Sequence, residues 1–440
     1  MEDAFYIQGG KQLNGEVVLS GAKNLALKVI IASLLFDSKV TLKNVPRIND
    51  VTELIHLMNK LGAKTTWHDD HTLQIDPTTL IASDVDLLHA SKIRVSFLLF
   101  APLLHKFHSC RIPNPGGCRL GQRPIDRIVG GMEALGATVD YDSLSGYYSA
   151  ELKEDPKGSY SFPKPSHTGT ELLLMFAARG SHDIILKNAA TEPEIDDLIV
   201  FLNDAGAHIK RKGNDIHVTG VASLTQKEAF HITSDRNEAV TFAVLGIASK
   251  GSVTVGPIDP KQLDTFIEYV KKTGSTVEIH GDKITFSYNN EIKPVDVTTG
   301  IHPGFMTDWQ PNWTVLMTQT EGNAKVHETI FENRLAYVSQ MKKLGAAIKF
   351  IDANVKHPEK VYQFNYEPKR TYRQAIEITG GKPLHGGVMK IADLRAGAAL
   401  LIGALIASGE SILLNASTLE RGYEDIVTKV SRLGGEIKRV

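Results

Sequence analysis

A short turn, Leu-Gly-Ala or a close variant, recurs six times along this chain of 440 residues. Each copy follows a segment with helical periodicity and precedes a segment rich in β-branched residues. A glycine at such a place supplies the left-handed residue with which a helix ends before a strand begins. Six copies at nearly constant spacing indicate an internally repeated fold. The central glycines are Gly62, Gly136, Gly206, Gly274, Gly345 and Gly434.

Each repeat is predicted to begin with a strongly apolar helix, which we call the leading helix. A short strand, a second helix, the glycine turn and further strands follow. Because helices this apolar need to be surrounded, we expect them inside, under sheets with one solvent-exposed face. The leading helices are predicted at residues 24–36, 92–104, 170–179, 238–249, 310–319 and 394–408. The first strands of the repeats are predicted at residues 39–45, 109–113, 183–188, 252–255, 323–328 and 410–415.

Six units of about 70 residues exceed what one hydrophobic core usually serves, so we predict an α/β protein with two domains of three units each. The chain is expected to cross between the domains near residues 231–237, which open the fourth leading helix. Residues 5–18 are predicted to form a first strand that could pair with either domain.

One interval between repeats, from Gly345 to Gly434, is about 18 residues longer than the mean of the others. The additional residues lie near 354–374 and are polar and rich in tyrosine. We predict an inserted loop or hairpin there. A functional and a merely decorative insertion are both compatible with this composition.

Composition narrows the class of protein. Lys and Arg total 49 and Asp and Glu total 50, a balance that argues against a nucleic-acid or membrane-surface partner. The two cysteines form no CxxC pattern, which fits a reducing compartment and suggests no metal site. The acidic start lacks the apolar segment of a signal peptide, and the longest apolar run, 396–407, is too short to span a bilayer. These features predict a cytoplasmic location.

Residues 111–126 combine a thiol, several guanidinium groups, three glycines and three prolines. Cys118 comes after Arg111 in the sequence and is followed by Arg119 and Arg123. Nearby positive charge lowers the pKa of a thiol, and arginines suit phosphate and carboxylate groups. The segment therefore indicates a reactive site. A surface loop with an incidental cysteine is the alternative, and Cys110 is expected to be a buried strand residue.

Ionic residues stand at the starts of five of the six leading helices, where an amphipathic pattern places none. Helix N-termini attract anions, so their convergence would create a site for a doubly anionic ligand. The alternative is that each charge caps its helix or pairs locally, as Asp393 with Arg395 could. The residues concerned are Lys23, Asn24, Arg94, Asp235, Arg236, Glu238, Asp308, Asp393 and Arg395, with Arg123 and Arg421 as further positive charges.

Six motifs occur along the chain in a fixed order: S-G-A-K-N, P-G-G-C-R-L-G-Q-R-P-I-D, H-P-G-F-M-T-D, E-T-I-F-E-N-R, A-D-L-R-A and E-R-G-Y-E. With them the chain resembles the UDP-N-acetylglucosamine 1-carboxyvinyltransferase family of enolpyruvyl transferases, over its whole length except the insertion. The resemblance implies a two-domain inside-out α/β barrel with four-stranded sheets outside. It also implies that the N-terminal strand joins the second domain, giving domains 22–233 and 1–21 plus 234–440.

The resemblance implies a reaction as well. The enolpyruvyl group of phosphoenolpyruvate moves to the 3-hydroxyl of UDP-N-acetylglucosamine through a tetrahedral intermediate, and phosphate is released. This is the first committed step of peptidoglycan precursor synthesis, on which cell-wall growth, cell shape and division depend. The expected partners are two small molecules, with no metal, other cofactor, nucleic acid or membrane. The related shikimate-pathway enzyme shares the fold but differs at the Cys118 loop.

Roles for individual residues follow from the same resemblance. Cys118 is implied to protonate the methylene carbon of phosphoenolpyruvate, to form a covalent adduct with it and to react with fosfomycin. Asp308 is implied to be the general base at the acceptor hydroxyl. Lys23, Arg123 and Arg421 would bind phosphoenolpyruvate, with Arg395 at its carboxylate. The acceptor would contact Asn24, Arg94, the backbone of Arg123, Pro124, Ile125, Asp126 and Arg127, and also Lys164, Ser166, Asp308 and Ile330.

The sequence departs from the family pattern in three places, of which the first two fall on the side of the acceptor. The usual Ser-Val-Gly-Ala-Thr is here Ser166-His167-Thr168-Gly169-Thr170, Ile128 stands where a histidine is usual, and the insertion is additional. Because the phosphoenolpyruvate side is intact, the reaction type is better supported than the acceptor. A different nucleotide sugar is one alternative. A nucleotide-sugar-binding regulator is another, against which Lys23, Cys118, Asp308 and Arg395 all weigh.

Overall fold

The computed structural model describes residues 3–116 and 125–440, and Cys118, Arg123 and Pro124 lie outside these described residues. The described residues form two compact units. We call residues 21–116 with 125–233 the N-terminal unit, and residues 3–20 with 234–440 the C-terminal unit.

The described strands and helices follow one another in the order that six repeats require. The strands are β1 (Ala4–Gln8), β2 (Asn14–Val18), β3 (Val40–Lys43), β4 (Lys64–Trp67), β5 (Leu73–Asp76), β6 (Ser109–Pro113), β7 (Thr138–Asp142), β8 (Tyr147–Glu151), β9 (Gly158–Ser161), β10 (Asp183–Lys187), β11 (His208–Lys212), β12 (Asp215–Thr219), β13 (Phe230–His231), β14 (Ser252–Gly256), β15 (Thr276–His280), β16 (Lys283–Ser287), β17 (Val297–Thr298), β18 (Asn323–His327), β19 (Ala347–Ile351), β20 (Ala375–Thr379), β21 (Val388–Lys390), β22 (Glu410–Leu414) and β23 (Glu436–Arg439). The α-helices are α1 (Lys23–Ala32), α2 (Asn49–Lys60), α3 (Leu87–Ala90), α4 (Phe100–Phe107), α5 (Asp126–Ala134), α6 (His167–Ala178), α7 (Pro193–Asp204), α8 (Arg236–Ala248), α9 (Asp264–Lys272), α10 (Gln310–Thr318), α11 (Val338–Met341), α12 (Pro358–Val361), α13 (Leu394–Ile406), α14 (Ser417–Glu420) and α15 (Ile426–Arg432). Short 3-10 helices cover Ser33–Leu35, Pro77–Thr79, Arg94–Leu99, Pro260–Leu263, Arg334–Tyr337 and Lys342–Leu344.

The repeat glycines end helices in the way the sequence predicts. All six have a positive φ, between 86° and 110°. This left-handed backbone is costly for residues with a Cβ, so glycine is the residue that turns each helix into the next strand. The prediction that each repeat glycine ends a helix in a left-handed conformation is confirmed.

The leading helices form the interior of each unit, as predicted. Every residue of α8 is buried, and so are residues 394–405 of α13. In the N-terminal unit, α6 is buried from Gly169 to Ala178. Each unit has its own apolar core, built around these helices. No helix of the described residues is both long enough and apolar enough to cross a membrane.

Three sheets cover each unit. In the N-terminal unit their strand orders are β13-β3-β5-β4, β6-β8-β7 and β11-β12-β10-β9. In the C-terminal unit they are β15-β16-β14-β2, β17-β18-β20-β19 and β21-β22-β1-β23. Burial alternates along most strands, for example in β22, where Ser411 and Leu413 are buried and Glu410 is exposed. The expected sheets with one solvent-exposed face are therefore present.

One sheet has three strands in the described residues, whereas the family resemblance implies four. At the open edge of β6, a single parallel bridge joins Asp84 to Arg111. The backbone N–H of Val85 also donates to the carbonyl of Arg111, and the N–H of Arg111 donates to the carbonyl of Ser83. The chain thus makes the first contacts of a fourth strand but pairs over too short a length to form one.

The prediction of one strand at residues 5–18 is wrong. The segment forms β1, which pairs with β22 and β23, and β2, which pairs with β14 in a different sheet. Gly9 and Gly10 separate the two strands. A Cβ at Gly9 would lie 2.3 Å from the carbonyl oxygens of Ala404 and Ala407, and Gly10 has a φ of 90°. The chain therefore leaves one sheet where only glycine fits.

The second leading helix also differs from its prediction. The segment predicted at 92–104 begins as the 3-10 helix Arg94–Leu99 and becomes α-helical only in α4. Pro102 lies in the first turn of α4 and has no N–H with which to bond the carbonyl four residues earlier. A tighter 3-10 turn before a proline accommodates this missing donor.

The insertion is an ordered loop and not a hairpin of its own. Residues 352–374 connect the antiparallel strands β19 and β20, whose last pair is Ile351 with Ala375. All of these residues are described, and they contain only the single-turn helix α12. The loop prediction is confirmed and the hairpin alternative is wrong, because the tyrosine-rich sequence forms a compact aromatic cluster and no paired strands.

Candidate active site

Asp308, Arg334 and Arg395 form an ion-pair network in the C-terminal unit, which we call the Asp308 cluster. The Asp308 Oδ1 atom lies 2.8 Å from Arg334 Nη2, and the Oδ2 atom lies 3.0 Å from Arg395 Nε. Both guanidinium side chains are almost completely buried, while 24% of the Asp308 side chain is exposed. Each carboxylate oxygen thus has its own arginine, and one edge of the carboxylate is accessible to a ligand.

Three elements position this cluster. Asp308 lies two residues before α10, Arg334 opens a 3-10 helix, and Arg395 is the second residue of α13. The Asp393 carboxylate accepts hydrogen bonds from the N–H groups of Arg395 and Ala396, so it caps α13 and fixes where Arg395 starts. The local pairing of Asp393 with Arg395 is therefore a backbone cap, and the Arg395 guanidinium is directed to Asp308.

The Asp308 carboxylate is not a helix cap. Residue 309 occupies the N-cap position of α10 and makes no capping bond with its side chain. Burial alone would raise the pKa of Asp308, but the charges of Arg395 and Arg334 outweigh burial and hold that pKa well below its usual range. Burial likewise opposes the charge of Arg395, and Asp308 raises the pKa of Arg395 in return. The Asp308 carboxylate and the Arg395 guanidinium are therefore ionised at neutral pH.

Two further leading-helix residues approach the cluster. Arg236, at the start of α8, is buried and adds to the charges that lower the pKa of Asp308. The Tyr423 hydroxyl lies 3.5 Å from Arg395 Nη1 and 2.7 Å from Thr241 Oγ1, and burial raises the pKa of this tyrosine. In the C-terminal unit the starts of α8, α10 and α13 thus meet at one point, as the charged helix starts predict.

Ile330 and Arg421 lie in the same unit. Buried Glu328 accepts hydrogen bonds from the N–H groups of Ile330 and Phe331, at 2.7 and 3.1 Å. The Gln374 amide donates to the carbonyls of Glu328 and Phe331. These bonds fix the loop that presents half-buried Ile330. Arg421 is half-buried and follows directly after α14.

In the N-terminal unit, Lys23 is paired with a residue that the motifs do not contain. Its Nζ atom lies 2.8 Å from Oδ2 of Asp50, and both side chains are buried. Lys23 opens α1, and Asp50 lies in the first turn of α2. Asn24, the next residue of α1, is half-buried. The pair holds a positive charge at the start of the first leading helix.

The departure at residues 166–170 forms a buried ionic network. Ser166 is the N-cap of α6 and accepts a hydrogen bond from the N–H of Gly169. His167 Nε2 lies 3.0 Å from Oε1 of Glu171, and Lys28 Nζ lies 3.2 Å from the same oxygen. The Glu171 side chain is completely buried. Although burial disfavours the charged imidazole, Glu171 and Glu192 raise the pKa of His167 to about 9, so His167 is protonated at neutral pH.

The remaining predicted site residues of the N-terminal unit lie at helix starts or before them. Arg94 opens its 3-10 helix and is half-buried, as is Lys164. Ile125 is the buried N-cap residue of α5, and Asp126 is its exposed first residue. Arg127 is half-buried, and burial lowers the pKa of its guanidinium group.

Cys110 is a buried residue of β6, which confirms its prediction. Burial raises the pKa of its thiol far above the usual range, so this thiol is unreactive. The predicted roles of Cys118, Arg123 and Pro124 fall on residues outside the described range. Among residues 3–116 and 125–440, no three His, Cys, Asp or Glu side chains are arranged to hold a metal ion.

Sequence reasoning missed three residues that complete these networks: Asp50, Arg334 and Glu171. Arg334 ends the E-T-I-F-E-N-R motif, so its position signalled a role without indicating its partner. Asp50 and Glu171 lie in ordinary helical segments, where a carboxylate usually faces solvent. For them, only the packed structure reveals the pairing.

Three comparisons connect this geometry with known proteins. A family model described as EPSP synthase (3-phosphoshikimate 1-carboxyvinyltransferase) matches residues 7–430. The UDP-N-acetylglucosamine 1-carboxyvinyltransferase of Idiomarina loihiensis is 35% identical over 442 aligned positions, which cover 100% of this chain and 99% of that protein. The UDP-N-acetylglucosamine 1-carboxyvinyltransferase 2 of Bacillus cereus is 36% identical, with 98% and 96% coverage.

Solved structures match over nearly the full chain. The enolpyruvyl transferase NikO from Streptomyces tendae superposes with a TM-score of 0.87 at 21% identity, covering 99% of this chain and 98% of that chain. EPSP synthase from Acinetobacter baumannii superposes with a TM-score of 0.72 at 16% identity, with 99% and 100% coverage. The predicted fold class, an inside-out α/β barrel of six repeats, is confirmed.

Proposed function

Because this chain belongs to the enolpyruvyl transferase family, alongside its UDP-N-acetylglucosamine 1-carboxyvinyltransferases, we propose that it transfers the enolpyruvyl group of phosphoenolpyruvate to the 3-hydroxyl of UDP-N-acetylglucosamine. The product would enter peptidoglycan precursor synthesis. Full-length similarity to proteins of that name carries the proposal. The partners would be two small molecules, and the expected compartment is the cytoplasm.

The proposed reaction has two steps. In the addition, the acceptor oxygen bonds to C2 of phosphoenolpyruvate, Cys118 gives a proton to the methylene carbon, and Asp308 takes the hydroxyl proton. In the elimination, the bond from C2 to the phosphate oxygen breaks and inorganic phosphate leaves with the proton that Asp308 took. The new methyl group returns a proton to the Cys118 thiolate, which restores both the double bond and the thiol. Lys23, Arg123 and Arg421 would bind phosphoenolpyruvate.

The Asp308 cluster supports a link between substrate binding and the base. A carboxylate held by two guanidinium groups is a weak proton acceptor, because its pKa is strongly depressed. Of the three guanidinium groups that depress this pKa, Arg395 has the largest effect. If Arg395 turns to the carboxylate of phosphoenolpyruvate, Asp308 loses that charge and its pKa rises. We infer that Asp308 becomes an effective base only when phosphoenolpyruvate is present.

Phosphate release tests this function directly. The purified protein is expected to release inorganic phosphate from phosphoenolpyruvate when UDP-N-acetylglucosamine is added, and not when either compound is left out. Mass spectrometry of the nucleotide product should show the added enolpyruvyl group. Absence of both products at millimolar substrate concentrations would favour a binding protein without transferase activity.

A different nucleotide-sugar acceptor is the second candidate, because the His167 network replaces the usual residues beside Ser166. In the proposed site, Lys164, Ser166 and the N–H groups at the start of α6 would hold the diphosphate. Asn24, Arg94, Ile330 and the backbone of residues 123–127 would contact the remaining parts of the acceptor. The diphosphate contacts after Ser166 would be made by backbone N–H groups, whereas the altered side chains would bear on the selection of base or sugar.

Steady-state kinetics on a panel of nucleotide sugars should separate the two acceptors. UDP-N-acetylglucosamine is expected to give the highest kcat/KM, because backbone donors to the diphosphate do not depend on the side chains that have changed. UDP-glucose, UDP-N-acetylgalactosamine and a guanosine diphosphate sugar serve as comparisons. If one of these shows a clearly higher kcat/KM, the acceptor assignment fails and only the enolpyruvyl chemistry is retained.

Labelling should distinguish the two cysteines. Fosfomycin is expected to add once to the protein, at Cys118, because Cys110 is buried and its raised pKa keeps the thiol protonated. Intact-mass and peptide mass spectrometry would locate the adduct. Cys118→Ser should abolish labelling and Cys110→Ser should leave it unchanged. An adduct on Cys110 in the folded wild-type protein would contradict the assignment.

A further inference from the structure

A cavity of about 720 Å³ lies in the C-terminal unit beside the inserted loop 352–374. One wall is the segment that contains Leu335, Ala336 and Ser339. The other wall is Phe350 of β19 together with the end of the inserted loop, residues 370–373. Its volume is within the range of sites that bind small molecules. None of its lining residues belongs to the site proposed for enolpyruvyl transfer.

Two arginines at the end of the inserted loop supply positive charge to this cavity. The guanidinium carbon of Arg373 lies 5.3 Å from the ring centre of Phe350, and that of Arg370 lies 5.3 Å from the ring centre of Tyr372. Within the described residues, neither guanidinium group forms an ion pair with a carboxylate at 4.0 Å or less. Guanidinium groups held against rings in this way leave their N–H donors available for phosphate oxygens.

The inserted loop that carries these two exposed arginines is anchored by its aromatic residues and by Gln374. Rings of the loop stack on one another from Tyr362 through Phe364 to Tyr372, with centroids 5.0 to 5.1 Å apart. Tyr362 and Phe364 are buried, and Tyr366 closes the cluster against Tyr372. Gln374 ties the end of the loop to the carbonyls of residues 328 and 331. A ligand that binds beside a loop whose backbone is already held loses less entropy on ordering that loop.

The lining combines three kinds of contact. Arg370 and Arg373 offer donors to an anion, the ring of Phe350 is 37% exposed and offers a stacking surface, and the hydroxyl oxygen of Ser339 offers an acceptor for a hydroxyl group. A phosphate joined to a planar ring through a sugar satisfies all three. We propose that this cavity binds a nucleoside monophosphate, with the base on the Phe350 ring in the place that the Arg373 guanidinium takes in the free protein, and the phosphate between the two arginines.

The cavity also adjoins the residues that hold the candidate active site. The 3-10 helix Arg334–Tyr337 carries Arg334, which binds Asp308, and also Leu335 and Ala336, which line the cavity. A ligand there would contact the element that positions Arg334. Nucleotide binding there would not require enolpyruvyl transfer, because no lining residue takes part in the proposed reaction.

Isothermal titration of the full-length protein with adenosine and guanosine monophosphate would test the proposal. At least one is expected to bind with a dissociation constant below about 1 mM. Arg370→Ala combined with Arg373→Ala should weaken binding by about tenfold or more, because two charge-assisted contacts are lost. Lys369→Ala is the matched control, since this exposed cation is adjacent in sequence but does not line the cavity, and its affinity should be unchanged.

A second variant tests the ring contact. Phe350→Ala should weaken nucleotide binding but leave the binding of inorganic phosphate unchanged. The proposal is overturned if neither nucleotide binds, if the double arginine variant binds like the wild type, or if phosphate alone binds as tightly as the nucleotides. The double variant should retain phosphate release from phosphoenolpyruvate. Loss of nucleotide binding with retained transferase activity would therefore show that the nucleotide binds in this cavity and not in the enolpyruvyl transfer site.

Discussion

Replacing Asp308 with asparagine is expected to lower the rate of phosphate release by about 10²-fold or more, because the amide cannot take the proton of the acceptor hydroxyl. Asparagine keeps the shape of the side chain, so substrate geometry should change little. The loss should therefore appear in kcat more than in KM for UDP-N-acetylglucosamine. Initial rates of phosphate release at saturating concentrations of both substrates would measure it.

The same substitution should also lower stability, which a helix-capping aspartate would not do. The asparagine oxygen can accept from one guanidinium group, but its amide then faces the other, either Arg334 or Arg395. Breaking a partly buried ion pair in this way is expected to lower the free energy of unfolding by about 1–3 kcal/mol. Because the pKa of Asp308 is depressed, its contribution is complete above about pH 5 and is lost only as the pH falls toward the folded-state pKa. The stability that Asp308→Asn loses relative to the wild type should therefore be equal at pH 6 and pH 8.

Glu238→Gln is a matched control for the loss of stability. Glu238 is buried in the same unit, and its Oε1 lies 2.6 Å from Lys429 Nζ. The variant also loses a buried ion pair, but it removes no group from the proposed reaction. Its melting temperature should fall while its kcat remains within a few-fold of the wild type. If Asp308→Asn likewise retains nearly full activity, Asp308 holds the two arginines and is not the base.

The parts of the fold that depend on local sequence could be predicted. A glycine with a positive φ ends a helix whatever surrounds it, so Gly62 and its five counterparts revealed the repeats directly. A run of apolar residues such as that of α13 has to be buried, which placed the leading helices inside. The starts of those helices then carried the charges that meet at Asp308.

The partners of those charges could not be predicted, because side-chain pairing depends on how distant segments pack. Asp308 is 26 residues from Arg334 and 87 residues from Arg395 along the chain. No periodicity connects such positions, and Lys23 with Asp50 is a similar case. The break between β1 and β2 was missed for the same reason. It depends on the approach of Gly9 to carbonyl oxygens of α13 and the residue that follows it, about 400 positions later.

His167 departs from the family motif, and the structure gives a physical reason for its presence. In the sequence it is only an unexpected residue after Ser166. In the structure its imidazole and Lys28 both contact the buried carboxylate of Glu171. A carboxylate that is completely buried needs compensating positive charge. The protonated histidine therefore stabilises the buried negative charge of Glu171 in α6. The stability of the protein should then depend on the protonation of His167.

Replacing His167 with glutamine is expected to remove a pH-dependent contribution of about 3 kcal/mol to the free energy of unfolding. The folded-state pKa of about 9 exceeds the ordinary value of 6.5, so the folded protein binds a proton that the unfolded chain releases. This contribution is complete below about pH 6.5 and is lost as the pH rises through about 9. The wild type should therefore lose about 3 kcal/mol more than the variant between pH 6 and pH 10, in urea denaturation followed by circular dichroism.

His105→Gln provides a control with the opposite sign. His105 is a histidine whose pKa burial lowers to about 4, and its Nε2 lies 2.8 Å from the carbonyl oxygen of Phe176. Because this depressed pKa lies below the ordinary value, His105 makes the free energy of unfolding depend on pH only between about pH 4 and 6.5. Above that range it adds nothing to the change of stability with pH. His105→Gln should thus lose stability in parallel with the wild type from pH 6.5 to 10, whereas His167→Gln should be markedly flatter. If His167→Gln and the wild type instead lose stability in parallel, the charge that compensates Glu171 comes from Lys28 alone, and the imidazole is neutral in the folded protein.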